Sequence, residues 1–218
     1  MCQFSNCQYS QHVFIERVRI ILAGANITKK AMAAALKELM ETKCFAHITV
    51  EDICKKCQIN RKSFYYHFKD KYHLLNWIYF TEFLEPAHKR EHPDNWDLLE
   101  EMCNYFYANQ TFYRKAFKID GQNSFFDYFR EVITVILSKS MEDIFGKDAS
   151  LDFYTNFYVD AFVYAIRRWL LQKDCMPSQE FAEKLKQCVV KTSKKIIQDY
   201  PNEGSHPQKG IRNTDAIG

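Results

Sequence analysis

Between positions 28 and 83 apolar side chains recur every three or four residues, and short polar breaks divide the pattern into four helical stretches. Thr28 is placed to cap the first. It runs to about Glu41, with Ile27, Ala31, Ala34, Ala35 and Leu39 as its apolar stripe and Lys30, Lys37 and Glu38 toward water. After a link holding Phe45, Thr49-Val50-Glu51-Asp52 has the form of a capping box, in which a hydroxyl and an acid three residues on satisfy each other's amides. Val50, Ile53, Cys54 and Cys57 then share one face over barely two turns. Gln58-Ile59 reads as a tight link and Asn60 as the N-cap of a third helix, 61 to 67, whose Phe64 and Phe68 turn inward. Asp70 caps a fourth helix through Leu74, Leu75, Ile78 and Phe83, expected to end before Pro86 because proline lacks the amide hydrogen a helix needs.

Past Pro86 the polar stretch HKREHPD marks a boundary, although the fourth helix is expected to serve both halves. Further helices are predicted at about 95–110, 123–145, 151–173 and 178–200, punctuated by Gly121, Gly146 and Pro177. The segment LDFYTNFYVDAFVYAIRRWLL, 151 to 171, is apolar almost all round, so its own domain or a second subunit must cover it on every side. No internal repeat and no strand-like alternation is present. The pattern therefore predicts an all-α protein, with a three-helix N-terminal domain at 27–86 and a helical bundle at 87–200. Residues 1–26 read as an N-terminal extension, either a flexible arm or the product of an early start, and the polar, patternless 201–218 as a disordered tail.

Composition changes this picture in a few places. The 218 residues include only 6 Gly and 5 Pro, which agrees with long helices, and the length allows a hydrophobic core without disulfides or metal. Eight cysteines scattered along the chain predict a reduced, cytoplasmic protein rather than a disulfide scaffold. The apolar patch VFIERVRIILAGA at 13 to 25 is too short and too charged to cross a bilayer, so no membrane partner is expected. A phosphate-cradling glycine loop, a G-x-S-x-G elbow and H-E-x-x-H are all missing, which argues against an enzyme and leaves no cofactor motif. His88 and His92 have helical metal-pair spacing, but Pro93 and polar neighbours favour a solvated linker. The net charge of +3 names no partner, since only a local concentration of charge makes a nucleic-acid footprint.

That concentration lies at 53 to 71, ICKKCQINRKSFYYHFKDK, which admits two readings. In one, Cys54, Cys57, His67 and His73 form a zinc-binding adaptor module. A finger of that type needs about twelve residues between the second Cys and the first His, and nine are present. Asn60 and Asp70 also divide the region into capped helices where a finger would need a hairpin and one helix. In the other reading two short helices joined by a tight turn form a helix-turn-helix, with the cysteines as small core residues. Lys55, Lys56, Arg61, Lys62, Lys69 and Lys71 stand against Asp70 alone, interleaved with hydrogen-bonding Ser63, Tyr65, Tyr66 and His67. This second reading fits better.

The residues Thr49-Val50-Glu51-Asp52-Ile53 and Phe64-Tyr65-Tyr66-His67-Phe68-Lys69-Asp70-Lys71 make the stretch from Thr28 to about Phe83 resemble the DNA-binding domain of the tetracycline-repressor (TetR/AcrR) family of bacterial transcription regulators. Members usually carry Ala where Cys54 and Cys57 stand; Gln58 occupies a turn position often held by Gly, and the glycine common before the second helix is absent near Lys43 and Cys44. The resemblance implies that Arg61, Lys62 and Ser63 approach base edges of double-stranded DNA, while Thr49, Tyr65, Tyr66, His67 and Lys71 hold phosphates. It also implies a homodimer through the helices 151–173 and 178–200, a palindromic operator and a regulatory C-terminal half. The stretches FYRKAF, GQNSFFDYF and FYVDAFVYAIRRWL are similar to a subgroup related to dihydroxyacetone-kinase regulators. A small-molecule effector would find its candidate pocket among Tyr105, Tyr128, Phe129, Tyr154 and Tyr158, beside Phe106, Phe112, Phe125 and Phe126. Repression or activation depends on where the operator lies relative to a promoter.

Overall fold

The computed structural model describes residues 26–199, apart from positions 93, 120, 122 and 148. The expected N-terminal extension, up to residue 25, and the tail from 201 onward lie outside the described residues. The described chain is helical throughout: α1 (Asn26–Thr42), a 3-10 turn (Phe45–His47), α2 (Val50–Lys56), α3 (Arg61–His67), α4 (Lys71–Tyr79), a π-helical turn (Phe80–Leu84), α5 (Glu85–His88), α6 (Asn95–Ala108), α7 (Gln110–Ala116), α8 (Phe125–Phe145), α9 (Leu151–Leu171) and α10 (Ser178–Asp199). Among these residues no helix is long and apolar enough to cross a membrane.

The side chains expected at three helix starts stand there. Thr49 and Asp52 form the capping box of α2, Asn60 accepts from the Ser63 amide at 2.8 Å, and Asp70 accepts from the His73 amide at 2.8 Å. Three expectations need correction. Thr28 lies inside α1 and does not cap it, and the buried face of that helix is Met32, Ala33, Ala35, Leu36 and Met40, while Ile27 is 86% exposed and Ala31 and Ala34 face water. Met32, Leu36 and Met40 repeat every four residues and bury far more apolar area than an alanine stripe, so they set the rotation of the helix.

The helix expected at 95–110 is α6, which ends at Ala108, and the separate helix α7 that follows it was not expected. Asn109 leaves the helical region (φ −111°, ψ 26°) and its side-chain amide donates to the Tyr105 carbonyl at 2.9 Å, competing with the backbone, so that α7 starts afresh. The fourth helix does not stop at Pro86 either. The π-helical turn Phe80–Leu84 widens the coil just before it, which removes the crowding a proline ring would meet in a regular helix, and Pro86 sits in the first turn of α5.

One apolar cluster runs from Met32 to Ala182 through both halves of the chain. Helix α4 joins them: Leu74 and Ile78 are fully buried, while the Tyr79 ring stacks on Phe106 of α6 with centroids 5.4 Å apart. In the C-terminal half α9 lies chiefly along α8, tied by Arg130 donating to Asp160 at 2.6 Å and to Asn156 at 2.8 Å. Helix α10 lies chiefly on α6, and its Phe181 stacks on Trp169 at 4.4 Å.

Candidate nucleic-acid interface

Helices α2 and α3 are joined by four residues, 57 to 60, of which Gln58 takes the left-handed conformation at φ 56°, and the Ile59 amide closes the turn by donating to the Cys54 carbonyl at 3.0 Å. Phe64 and Phe68 are buried at 0% and 1% exposure and hold α3 to the domain from one side. The opposite side of α3 is therefore presented to solvent. Arg61 and Lys62 are exposed, as are Tyr65 at 51% and Tyr66 at 83%. The Arg61 guanidinium lies over the Tyr65 ring and donates to its hydroxyl at 3.4 Å, which restrains a long side chain next to the helix start.

The six cations counted in the sequence divide into two groups. Lys55 pairs with Glu51 and Lys56 with Glu38, each at 2.7 Å. Lys71 turns away from the surface and donates to the carbonyls of Phe45, Ala46 and Ile48 at 2.8, 3.2 and 2.7 Å, and burial lowers its pKa. A phosphate grip by Lys71 therefore does not fit its geometry, because the ammonium already caps the turn before α2. Arg61, Lys62 and Lys69 have no carboxylate partner among the described residues. Thr49 is likewise engaged: its hydroxyl donates to Asp52 at 2.9 Å and accepts from the Asp52 amide at 3.1 Å. His67 is half-buried with its ring edge-on to Tyr66, and burial followed by the nearby Lys29 lowers its pKa. Ser63 is half-buried beside its own N-cap. Lys69 is exposed just past α3, next to the inward-pointing Phe68.

The zinc reading fails on geometry. Cys54 is buried, the Cys57 thiol donates to the Ile53 carbonyl at 3.0 Å, and burial raises both thiol pKa values. His73 accepts from the Lys69 amide at 3.3 Å, and no group of three or more potential ligands that could hold a metal occurs among the described residues. His92 bonds Glu101 at 2.7 Å.

The residues expected around a ligand pocket pack mostly against one another. Tyr105 donates to Glu82 at 3.1 Å and shares a 2.8 Å hydrogen bond with Tyr113, Phe129 is fully buried, Tyr128 packs against the core and Tyr154 stacks on Phe145 at 4.4 Å. Phe106 and Phe125 belong to the same buried cluster. A cavity of about 480 Å³ opens instead between α6, α8, α9 and α10, where the walls are mainly aliphatic, and of the five expected residues Tyr158 alone borders it.

Residues 32–78 match the model described as bacterial regulatory proteins of the tetR family, and residues 94–191 match the transcriptional regulator C-terminal region. The chain is 36% identical over 95 residues to the HTH-type dhaKLM operon transcriptional activator DhaS of Lactococcus lactis, an alignment covering 43% of this chain and 51% of that protein, so it spans about half the length of the curated relative. Among solved structures it resembles a dihydroxyacetone kinase operon activator DhaS (TM-score 0.59, 25% identity, covering 78% of this chain and 98% of that one). A TetR transcriptional regulator from Streptococcus agalactiae shares the fold (TM-score 0.60, 21% identity, covering 80% and 98%). The N-terminal and C-terminal halves thus each carry the family's sequence pattern on the family's helical architecture, and the chain belongs to the TetR family of transcriptional regulators.

Proposed function

We propose that the chain is a sequence-specific DNA-binding regulator that acts as a homodimer on a palindromic operator. The observation that carries this reading is the division of α3 into a buried face, Phe64 and Phe68, and an exposed face, Arg61, Lys62, Tyr65 and Tyr66, immediately after a capped tight turn. In a helix-turn-helix the second helix enters the major groove with its first residues at base edges. Arg61 and Lys62 occupy those first residues, and a guanidinium fork suits the O6 and N7 acceptors of guanine. Tyr65, Tyr66 and Lys69 face outward toward the phosphates, and His67 contributes a ring N–H. Ser63 and Thr49 contribute less, because both already serve the caps of α3 and α2.

Homodimerisation is supported by α9. Phe153, Phe157 and Tyr164 are 69%, 61% and 51% exposed and, with Ala161, form one apolar stripe at helical spacing. A groove between α9 and α10, lined by Phe157, Ala161, Leu185 and Cys188 among others, continues the same surface. A second copy is the occupant that buries this stripe symmetrically and sets two α3 helices about 34–36 Å apart, or a multiple of that. The L. lactis relative is named an operon activator, and the same sign is carried over here as part of the proposal, with a cytoplasmic location. The C-terminal half is assigned the reception of a small-molecule signal.

Footprinting on genomic fragments over a salt series tests the reading. Protection of a palindrome is expected, with Arg61→Ala reducing the preference for that site over random DNA by about 1–3 kcal/mol. Equal loss on cognate and random DNA would remove Arg61 from base reading.

A further inference from the structure

We infer that Glu82 is a positioning residue for operator binding, a single carboxylate on which the C-terminal half fixes the orientation of the DNA-binding half. It stands in the π-helical turn between α4 and α5, and α1, α6 and α7 converge on it. From α1, the Lys37 ammonium donates to both Glu82 oxygens, at 2.5 and 2.6 Å, and lies 5.6 Å from the centroid of the Phe112 ring of α7. From α6, the Tyr105 hydroxyl donates to Glu82 Oε2 at 3.1 Å and is itself 2.8 Å from the Tyr113 hydroxyl of α7.

An ionised carboxylate only accepts, and a phenol has one hydrogen to give. With the Tyr105 hydrogen directed to Glu82, the Tyr113 hydroxyl is the donor to Tyr105, and burial, which pushes the pKa of both tyrosines up, keeps both hydrogens in place. One directed chain of bonds therefore runs from the buried Tyr113 through Tyr105 to Glu82, and Lys37 closes it from the other half. The carboxylate is also fixed from behind. Phe80, Phe83 and Leu84 bury the rest of the π-helical turn, and the Thr81 hydroxyl donates to the Trp77 carbonyl at 2.8 Å, which ties the widened coil to α4.

The Lys37 and Glu82 side chains are 32% and 37% exposed, and an ion pair so close to water adds little to stability. What it supplies is geometry, because contact with both carboxylate oxygens admits few positions of α1 against the turn. Helix α1 packs on α2 and α4, so fixing α1 fixes the helix pair that carries Arg61 and Lys62. The consequence for DNA rests on the proposed function, whereas the clamp itself does not.

The test uses the full chain on three labelled duplexes: the palindrome that the wild type protects, its half-site, and the palindrome with one base pair inserted between the half-sites. The insertion turns one half by about 35° and moves it by about 3.4 Å. Glu82→Ala and Lys37→Met each open the clamp without leaving a hole in the core, and circular dichroism confirms their fold. Each should lower the preference for the correct spacing over the inserted one about fivefold, with half-site affinity kept within about twofold, and the double variant should lose no more than either single one. Unchanged spacing preference, an equal loss on all three duplexes, or additive losses in the double variant overturns the inference. Hydrogen exchange on the free chain reads the clamp without DNA: both variants should speed exchange in residues 80–84 about threefold, and no change there overturns the inference as well. A wild type that protects no palindrome defeats the proposed function, and the exchange result still decides the clamp.

Discussion

A lysine ammonium held under three carbonyl oxygens cannot also grip a phosphate, and Lys71 illustrates the consequence for mutagenesis. Its Nζ lies 2.7–3.2 Å from the carbonyls that end the 3-10 turn before α2, and 4.6 Å from the centroid of the Phe45 ring. Lys71→Ala leaves those acceptors without their donor and should destabilise the fold by about 1–2 kcal/mol. The salt dependence of DNA binding should keep its slope, since no phosphate contact is removed. Urea melts and a salt series measure the two separately; a slope reduced by about one with unchanged stability would return Lys71 to the interface. Gln58 gives a second residue-scale expectation. Its φ of 56° puts a side chain in the left-handed region, which costs a non-glycine residue about 1 kcal/mol. Part of that is offset by the greater unfolded-state freedom of glycine, so Gln58→Gly should stabilise by about 0.5 kcal/mol with DNA affinity unchanged. Destabilisation in the melt would show that the Gln58 side chain does more than tolerate the turn.

At the scale of elements, the caps were legible because a cap is a local event: Thr49, Asn60 and Asp70 announce α2, α3 and α4 through bonds within three residues. The rotation of α1, the restart of the chain as α7 after Asn109 and the passage through Pro86 were not, because each is decided by partners far along the chain or by competing local bonds of similar strength. The same difference explains the site. Exposure of Arg61, Lys62, Tyr65 and Tyr66 follows from the spacing of Phe64 and Phe68, whereas the fates of Lys71 and Thr49 and the position of the cavity depend on tertiary packing.

Helix α7 is a further case of what sequence could not show. Arg114 donates to the carbonyls of Leu170, Gln172 and Lys173 at the end of α9, at 2.8, 2.8 and 3.1 Å. The next residue, Lys115, donates to Met40 and Glu41 at the end of α1, a helix with no basic residue in its own last turn. Two adjacent cations thus fasten the C-termini of a helix from each half. Lys115→Met should speed amide exchange in the last turn of α1 by roughly tenfold and leave α9 unchanged, while Arg114→Met should do the reverse. Hydrogen exchange read by mass spectrometry checks this, and equal effects of both variants on both helices would dissolve the bracket.

For the whole molecule the stripe on α9 is the surface on which the proposed dimer rests, because that proposal needs two recognition helices held at a fixed separation. Phe157 is 61% exposed near the middle of that stripe and lines the groove toward α10, and its removal takes nothing from the core of the single chain. Phe157→Glu places a carboxylate where the second copy would bury an aromatic ring, and two such charges meet across a two-fold axis, so neither can be desolvated without a partner. The variant should keep the helical content and melting behaviour of one folded chain but sediment as a monomer. Its affinity for a half-site should change little, since Arg61, Lys62, Tyr65 and Tyr66 are untouched. Its affinity for the full palindrome should fall by about a hundredfold or more, because the second half-site is then met from bulk concentration rather than as a tethered neighbour. Sedimentation velocity with anisotropy on half-site and full-site duplexes separates these quantities. A dimer that persists in Phe157→Glu, or a palindrome bound as tightly by the monomer as by the wild type, would move the interface away from α9.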